Sequence, residues 1–203
     1  MRVHVLQHRR EQWRPSSTGG LVGRVVTGSR ITVFHRSLTA AEVLGVPGPA
    51  GQVPWILHPR GQPFEGFVGQ ADVRPATEVL LIDGSWTESG RMLQCVQGWG
   101  RSVRLNLDAQ SRYRLRDQRG EGHLSTAEAL MGWYDALGFG EAADLLRLHL
   151  ELRVYLGLRS RGRKAEAEDY LSQSPIRTRL GPFLDRLHAR RPNLATLPGG
   201  RQE

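Results

Sequence analysis

Residues 78–82 read Glu-Val-Leu-Leu-Ile, a continuous apolar run closed by Asp83 and Gly84. A strand covered on both faces needs such a run, and strands of that kind belong to parallel sheets with helices on either side. Shorter patterns fit around it. Val3–Gln7 alternates apolar and polar residues and predicts a strand. Ile31–Phe34, Val53–Leu57 and Val103–Leu107 predict three more, the middle one stopped by Pro59, and Leu44–Gly51 predicts a loop. The stretch from His8 to Gly19 reads as a loop passing into a helix. Thr87–Gln97 predicts a helix with Met92, Leu93 and Val96 on one side. Ser125 and Glu128 have the spacing of a capping box, so a helix starts there. Glu141–Leu158 predicts another helix, with Leu145, Leu148, Leu152 and Tyr155 at spacings of three and four. Strands alternating with helices predict an α/β fold, a mostly parallel sheet with flanking helices. The 203 residues suit one domain over 1–158, followed by a basic, loosely attached helical tail over 159–203 whose end is disordered.

The formal net charge is +8, from 28 Lys and Arg against 20 Asp and Glu. Lys164 is the only lysine, which reflects coding bias. That bias accounts for the choice of arginine but not for the surplus, which favours a polyanionic partner through counterion release. Cys95 is the only cysteine, so neither an internal disulfide nor a CxxC zinc site is available, and no metal is expected. No apolar run reaches the roughly 18 residues of a membrane span. The start, MRVHVLQHRR, lacks the apolar core of a signal peptide. A soluble, cytoplasmic protein without membrane association is expected.

Four segments carry candidate chemistry. The first is His8-Arg9-Arg10-Glu11-Gln12-Trp13-Arg14, followed by Ser16, Ser17, Thr18 and Gly19. It follows the first strand, where open α/β sheets place ligands, and its cations and hydroxyls suit phosphates, although a solvated basic loop reads the same way. The second, Trp55-Ile56-Leu57-His58-Pro59, is by itself a strand and a Pro-marked loop. The third is Asp83-Gly84-Ser85-Trp86. A carboxylate just past a buried strand lies at the ligand edge, Gly84 permits close approach to backbone, and Trp86 can stack on a base. Asp83 can equally cap the next helix. The fourth is Ser111-Arg112-Tyr113-Arg114-Leu115-Arg116, then His123 to Ala129. Its helix start can bind a carboxylate, its alternating arginines can face RNA, and its Ser125 and Glu128 serve as an ordinary cap. Glycine-rich dinucleotide loops, Walker loops, HExxH and GxSxG are absent.

Taken together, and in this order, the segments resemble the DTW-domain family. His8, Glu11, Arg14, Ser16, Thr18 and Gly19 match an H-x-x-E-x-x-R-x-S-x-T-G motif, and Ile56, Leu57 and Pro59 match an I-L-x-P loop. Asp83, Ser85 and Trp86 match the D-x-S/T-W signature, and Ser111 through Ala129 match S-R-Y-R-L-R with H-L-S-T-x-E-A. The resemblance covers roughly 1–150. Ser85 stands where the family's namesake threonine does, Ser17 stands for the usual Asn, and the cysteine cluster of many members has no counterpart.

The resemblance implies a SPOUT-like fold with a trefoil knot in the C-terminal half. It also implies S-adenosylmethionine as cofactor and transfer of its 3-amino-3-carboxypropyl group to N3 of a uridine in tRNA. Cofactor contacts are expected from Leu57, Pro59, Asp83, Gly84, Ser85, Trp86, Leu115, Leu124, Ser125 and Thr126. Asp83 is the expected catalytic residue, either as base for the N3 proton or as anchor of the cofactor's positive charge. RNA contacts are expected from His8, Arg10, Arg14, Thr18, Arg112 and Arg114. A SPOUT-type RNA methyltransferase, an rRNA-directed relative and a non-catalytic RNA-binding module are the alternatives.

Overall fold

The computed structural model describes residues 1–45, 53–67, 78–105, 111–116 and 124–189. In chain order these form β1 (Arg2–Gln7), α1 (Thr18–Val25), β2 (Arg30–Val33), α2 (Ala40–Leu44), β3 (Trp55–Pro63) and β4 (Glu78–Asp83). There follow α3 (Trp86–Cys95), β5 (Arg101–Arg104), α4 (Thr126–Ala136), α5 (Gly140–Ser160), α6 (Lys164–Ser172), α7 (Ile176–Arg179) and α8 (Gly181–Ala189). The five strands make one sheet in the order β2-β1-β4-β3-β5, and every neighbouring pair is parallel. The most apolar strand, β4, is central and buried along its whole length, as a strand with a helix layer on each face must be.

Alternation sorts the two layers. Val3, Val5, Trp55, Leu57, Val79, Leu81 and Val103 pack with α1, α4, α5 and the helices after it. Leu6, Ile56, Leu80 and Ile82 pack on the opposite face with Val43, Leu44, Met92 and Val96, from α2 and α3. Because all strands run the same way, their carboxyl ends share one edge, and β1 and β4 end together there with Gln7 beside Asp83.

Several boundaries differ from the sequence reading. Pairing of β3 with β4 does stop at Leu57, but the chain bulges through 58–61 and rejoins β5 at Gln62. Pro59 has no N–H for a ladder, and a bulge is where a sheet accepts it. Gly61 lets the bulge close, since a Cβ there would lie 2.5 Å from the Val103 backbone. The strand expected at Val103–Leu107 begins at Arg101, where the Arg101 N–H meets the Pro54 carbonyl. Residues 106 and 107 lie outside the described residues, as do 46–51 of the expected Gly/Pro loop.

On α5 the buried stripe is Ala143, Leu146, Leu150, Val154 and Leu158, with Tyr155 beside it, while Leu145 is half-exposed. Two stripes of that helix have helical spacing, and its partners decide which one turns inward. The tail is helical, but it is not loosely attached: Ala167, Tyr170, Leu171, Ile176 and Leu184 are buried in the main core. Their spacing is too sparse within a charged stretch to register as an apolar face. Residues 190–203, which include the end expected to be disordered, lie outside the described residues. Among the described residues no helix is long and apolar enough to cross a membrane.

Candidate functional site

Asp83, at the carboxyl end of β4, shares the sheet face of Val79 and Leu81 and so points at α1 and α4. It is 3% exposed. Gln7 Nε2 and Ser17 Oγ each donate to Oδ2 at 2.9 Å. The Gly19 N–H donates to Oδ1 at 3.3 Å and Thr126 Oγ1 donates to the same oxygen at 2.7 Å. An ionised carboxylate offers about four acceptor positions, and here four donors fill them. Ser17 in turn accepts from the Gly20 N–H at 3.1 Å and so caps α1. Asp83 therefore fastens the start of α1 and the first residue of α4 to the end of the central strand. It is not the cap of α3. Ser85 takes that position in a capping box with Glu88.

On the opposite face, the Ser85 N–H donates to Glu88 Oε2 at 2.9 Å. His8 Nδ1 lies 3.1 Å from Glu88 Oε1, and Arg10 lies 3.6 Å from it. Burial disfavours charge on Glu88. The hydrogen bonds from Ser85 and the neighbouring His8 and Arg10 outweigh it and hold the carboxyl below its ordinary value. The space over Gly84, expected to admit a ligand, is bordered by the protein itself: a Cβ there would lie 3.2 Å from Glu88 Cβ and 3.5 Å from His8 Cβ. Trp86 opens α3 half-buried.

The start of α4 has the expected capping box of Ser125 and Glu128. The Glu128 carboxylate is buried and also accepts from Ser111 Oγ and from the Arg112 N–H at 2.7 Å. The Ser125 and Glu128 N–H groups are thus taken, and carboxylates flank Thr126 on two sides. A ligand carboxylate at this helix start would meet the carboxylates of Asp83 and Glu128 beside it.

The arginines of the fourth segment also turn out differently. Arg112 pairs with Glu151 at 3.0 Å, lies over the Tyr170 ring at 4.8 Å and donates to the Gln173 carbonyl at 3.3 Å. Glu151, 2% exposed, is also bonded by Ser174. Arg114 pairs with Asp169 at 3.2 Å, and Arg116 pairs with the buried Glu11. These side chains bind the tail and the N-terminal loop to the domain, Arg112 through the buried Glu151 and Arg114 through the exposed Asp169. Arg14 also bonds Glu11, at 3.0 Å, but remains half-exposed, while Thr18 is buried. The side chains of Leu57 and Leu115 lie in the hydrophobic core, Leu115 against Gly157. Pro59 is exposed at the bulge, and Gly84, Ser85, Trp86, Leu124, Ser125 and Thr126 are half-buried at or near the strand edge.

Residues 1–155 match the family described as DTW domain. The chain belongs to the DTW-domain family. Its members are tRNA-uridine aminocarboxypropyltransferases, so a role in tRNA modification and an RNA substrate follow at the level of the family. No solved structure matches the chain. In this DTW-domain protein the signature residues divide their work between the faces of the sheet. Asp83 holds α1 and α4 on one side, while Ser85 and Trp86 open α3 on the other.

Two residues of this DTW-domain protein lie in the candidate segments but were given no role by the sequence reading. Trp13 is 86% exposed beside the exposed Arg9, Arg10 and Arg14. It lies in a loop, where no periodicity reports which side chain faces out. His58, in the β3 bulge, is 7% exposed, and its Nδ1 accepts the Arg60 N–H at 3.1 Å. Burial first, and the Arg60 charge second, push its imidazole down to about 4. Its Nε2 has no hydrogen-bond partner among the described residues. The I-L-x-P pattern leaves position 58 open, which is why it carried no signal.

Proposed function

We propose that this protein uses S-adenosylmethionine to modify a uridine of tRNA at N3. When bound, the cofactor supplies an activated 3-amino-3-carboxypropyl group, and methylthioadenosine leaves. The observation that carries this reading is the family match over three quarters of the chain, with the signature carboxylate buried at the ligand edge of a parallel sheet. The residues present fit the cofactor. Asp83 and Glu128 give the start of α4 a negative surrounding suited to a sulfonium and an ammonium, and His58 holds a buried donor without a partner among the described residues. Trp86, Ser125 and Thr126 stand where they can border the group. Arg9, Arg10, Trp13 and Arg14 offer cations and a stacking surface to RNA.

Asp83 acts here as a positioning residue and as a fixed negative charge. To take the N3 proton it must first lose one of four donors, whereas holding α1 and α4 requires no rearrangement. A SPOUT-like fold with a C-terminal trefoil knot and a cytoplasmic location belong to the same proposal. The all-parallel sheet supports the fold, and a crystal structure with bound S-adenosylmethionine tests the knot. The function is tested by incubating the protein with tRNA, rRNA and S-adenosylmethionine and separating the products. Methylthioadenosine formed only with tRNA is expected. S-adenosylhomocysteine supports a methyltransferase instead, methylthioadenosine with rRNA alone supports the rRNA-directed reading, and RNA binding without either product supports a non-catalytic module.

A further inference from the structure

His58 is a buried neutral imidazole whose protonation is fixed by its partner. Nδ1 accepts the Arg60 backbone N–H, so it carries no hydrogen. A neutral ring then has its hydrogen on Nε2, and this N–H meets no acceptor among the described residues. His4, the second buried histidine, has Glu78 2.6 Å away, toward the amino ends of the strands. Leaving a buried donor unpaired costs about 1–3 kcal/mol, and such groups in a folded protein call for a reason. The place of His58 supplies one. It lies at the carboxyl edge of the sheet, at the start of the β3 bulge and two residues past Ile56, whose face carries the apolar layer that Leu6, Ile82 and Met92 form with α3. Arg60, two residues on, reaches α3, where a Cβ on Gly90 would lie 3.3 Å from its guanidinium. The apolar layer with one neutral donor disfavours a bare carboxylate and suits a nucleoside, whose ring nitrogens and ribose oxygens accept hydrogen bonds.

We infer that the Nε2–H of His58 donates to an acceptor of the nucleoside half of the bound ligand, and so selects an adenosine-type group at the edge of β3. This rests on the S-adenosylmethionine reading above.

Titration calorimetry with S-adenosylmethionine and with methylthioadenosine, which lacks the aminocarboxypropyl group, tests it. His58→Leu removes the donor, and His58→Gln keeps an N–H close to the Nε2 position. His58→Leu is expected to weaken both ligands about tenfold, and His58→Gln to stay within about threefold of wild type. Without ligand, His58→Leu should melt no lower than wild type, since it removes an unpaired donor from an apolar layer. Should His58→Leu fail to fold, the wild type still decides: adding methylthioadenosine should shift the His58 Nε2–H nitrogen resonance. Equal affinities in all three proteins, weakening for S-adenosylmethionine alone, or an unmoved His58 resonance would overturn the inference. Wild type that binds neither compound sinks the proposed function as well, which separates the two failures.

Discussion

Replacing Asp83 by Asn conserves shape but converts one acceptor into a donor. In either orientation the new NH2 faces an existing donor, Gln7 Nε2 with Ser17 Oγ on one side or the Gly19 N–H with Thr126 Oγ1 on the other. Asp83→Asn is therefore expected to lose about 1–3 kcal/mol of stability, read from urea midpoints, together with turnover. A loss of turnover at unchanged stability would instead favour a proton-transfer role. Gly19→Ala reaches the same point from the other side. Its Cβ would lie 2.5 Å from Asp83 Cγ, and because the carboxylate is held by four donors the clash is expected to cost about 1–3 kcal/mol. Near-wild-type stability in Gly19→Ala would show that the clasp is loose.

His58 gives a pH signature. Its folded-state value of about 4 lies below the ordinary 6.5, so the unfolded chain takes up a proton first as pH falls. The stability tied to the neutral ring is fully present above pH 6.5 and is lost on acidification toward 4. The stability of His58→Leu relative to wild type, followed by urea titration, should rise as pH falls through that window. A difference constant from pH 7 to 4 would contradict a buried neutral ring.

At the scale of elements, the capping box of Ser125 and Glu128 was legible because it is local, a hydroxyl and a carboxylate three residues apart, whereas the box of Ser85 and Glu88 was passed over for Asp83. The strand was legible because burial on both faces makes Val79–Ile82 continuously apolar. The partners of Arg112 were not. Glu151 is 39 residues away in sequence and Gln173 is 61 away, and no local pattern connects them. The same holds for Asp83, whose donors come from 43 to 76 residues away. The sequence marked it as special without showing whether it faced solvent, ligand or protein. This separates two kinds of arginine. Arg112→Ala leaves Glu151 without its guanidinium and is expected to cost a few kcal/mol of stability. Arg10→Ala and Trp13→Ala touch exposed side chains and are expected to leave stability within about 0.5 kcal/mol while weakening tRNA binding, and Arg10→Ala should also flatten its salt dependence. Binding assays at two salt concentrations and melting curves decide it. Unchanged tRNA affinity in both exposed variants would remove the RNA face from this loop.

At the scale of the molecule, the tail is part of the core. Cutting after residue 158 would uncover the surfaces that Tyr170, Ile176 and Leu184 cover and strip Glu151 of Ser174. A fragment of 1–158 is therefore expected to show lost cooperativity in thermal unfolding and exposed apolar surface by dye binding. A sharp transition at the full-length temperature would restore the independent domain that the composition shift implied. The surplus of +8 suits a polyanion across the whole surface, but only the reaction product identifies the chemistry. The most direct measurement incubates the full chain with tRNA and S-adenosylmethionine labelled either in the methionine carboxyl or in the methyl group. The account predicts that the carboxyl label stays in the RNA and the methyl label leaves with methylthioadenosine. Methyl label retained in the RNA, or no label retained from either, would contradict it.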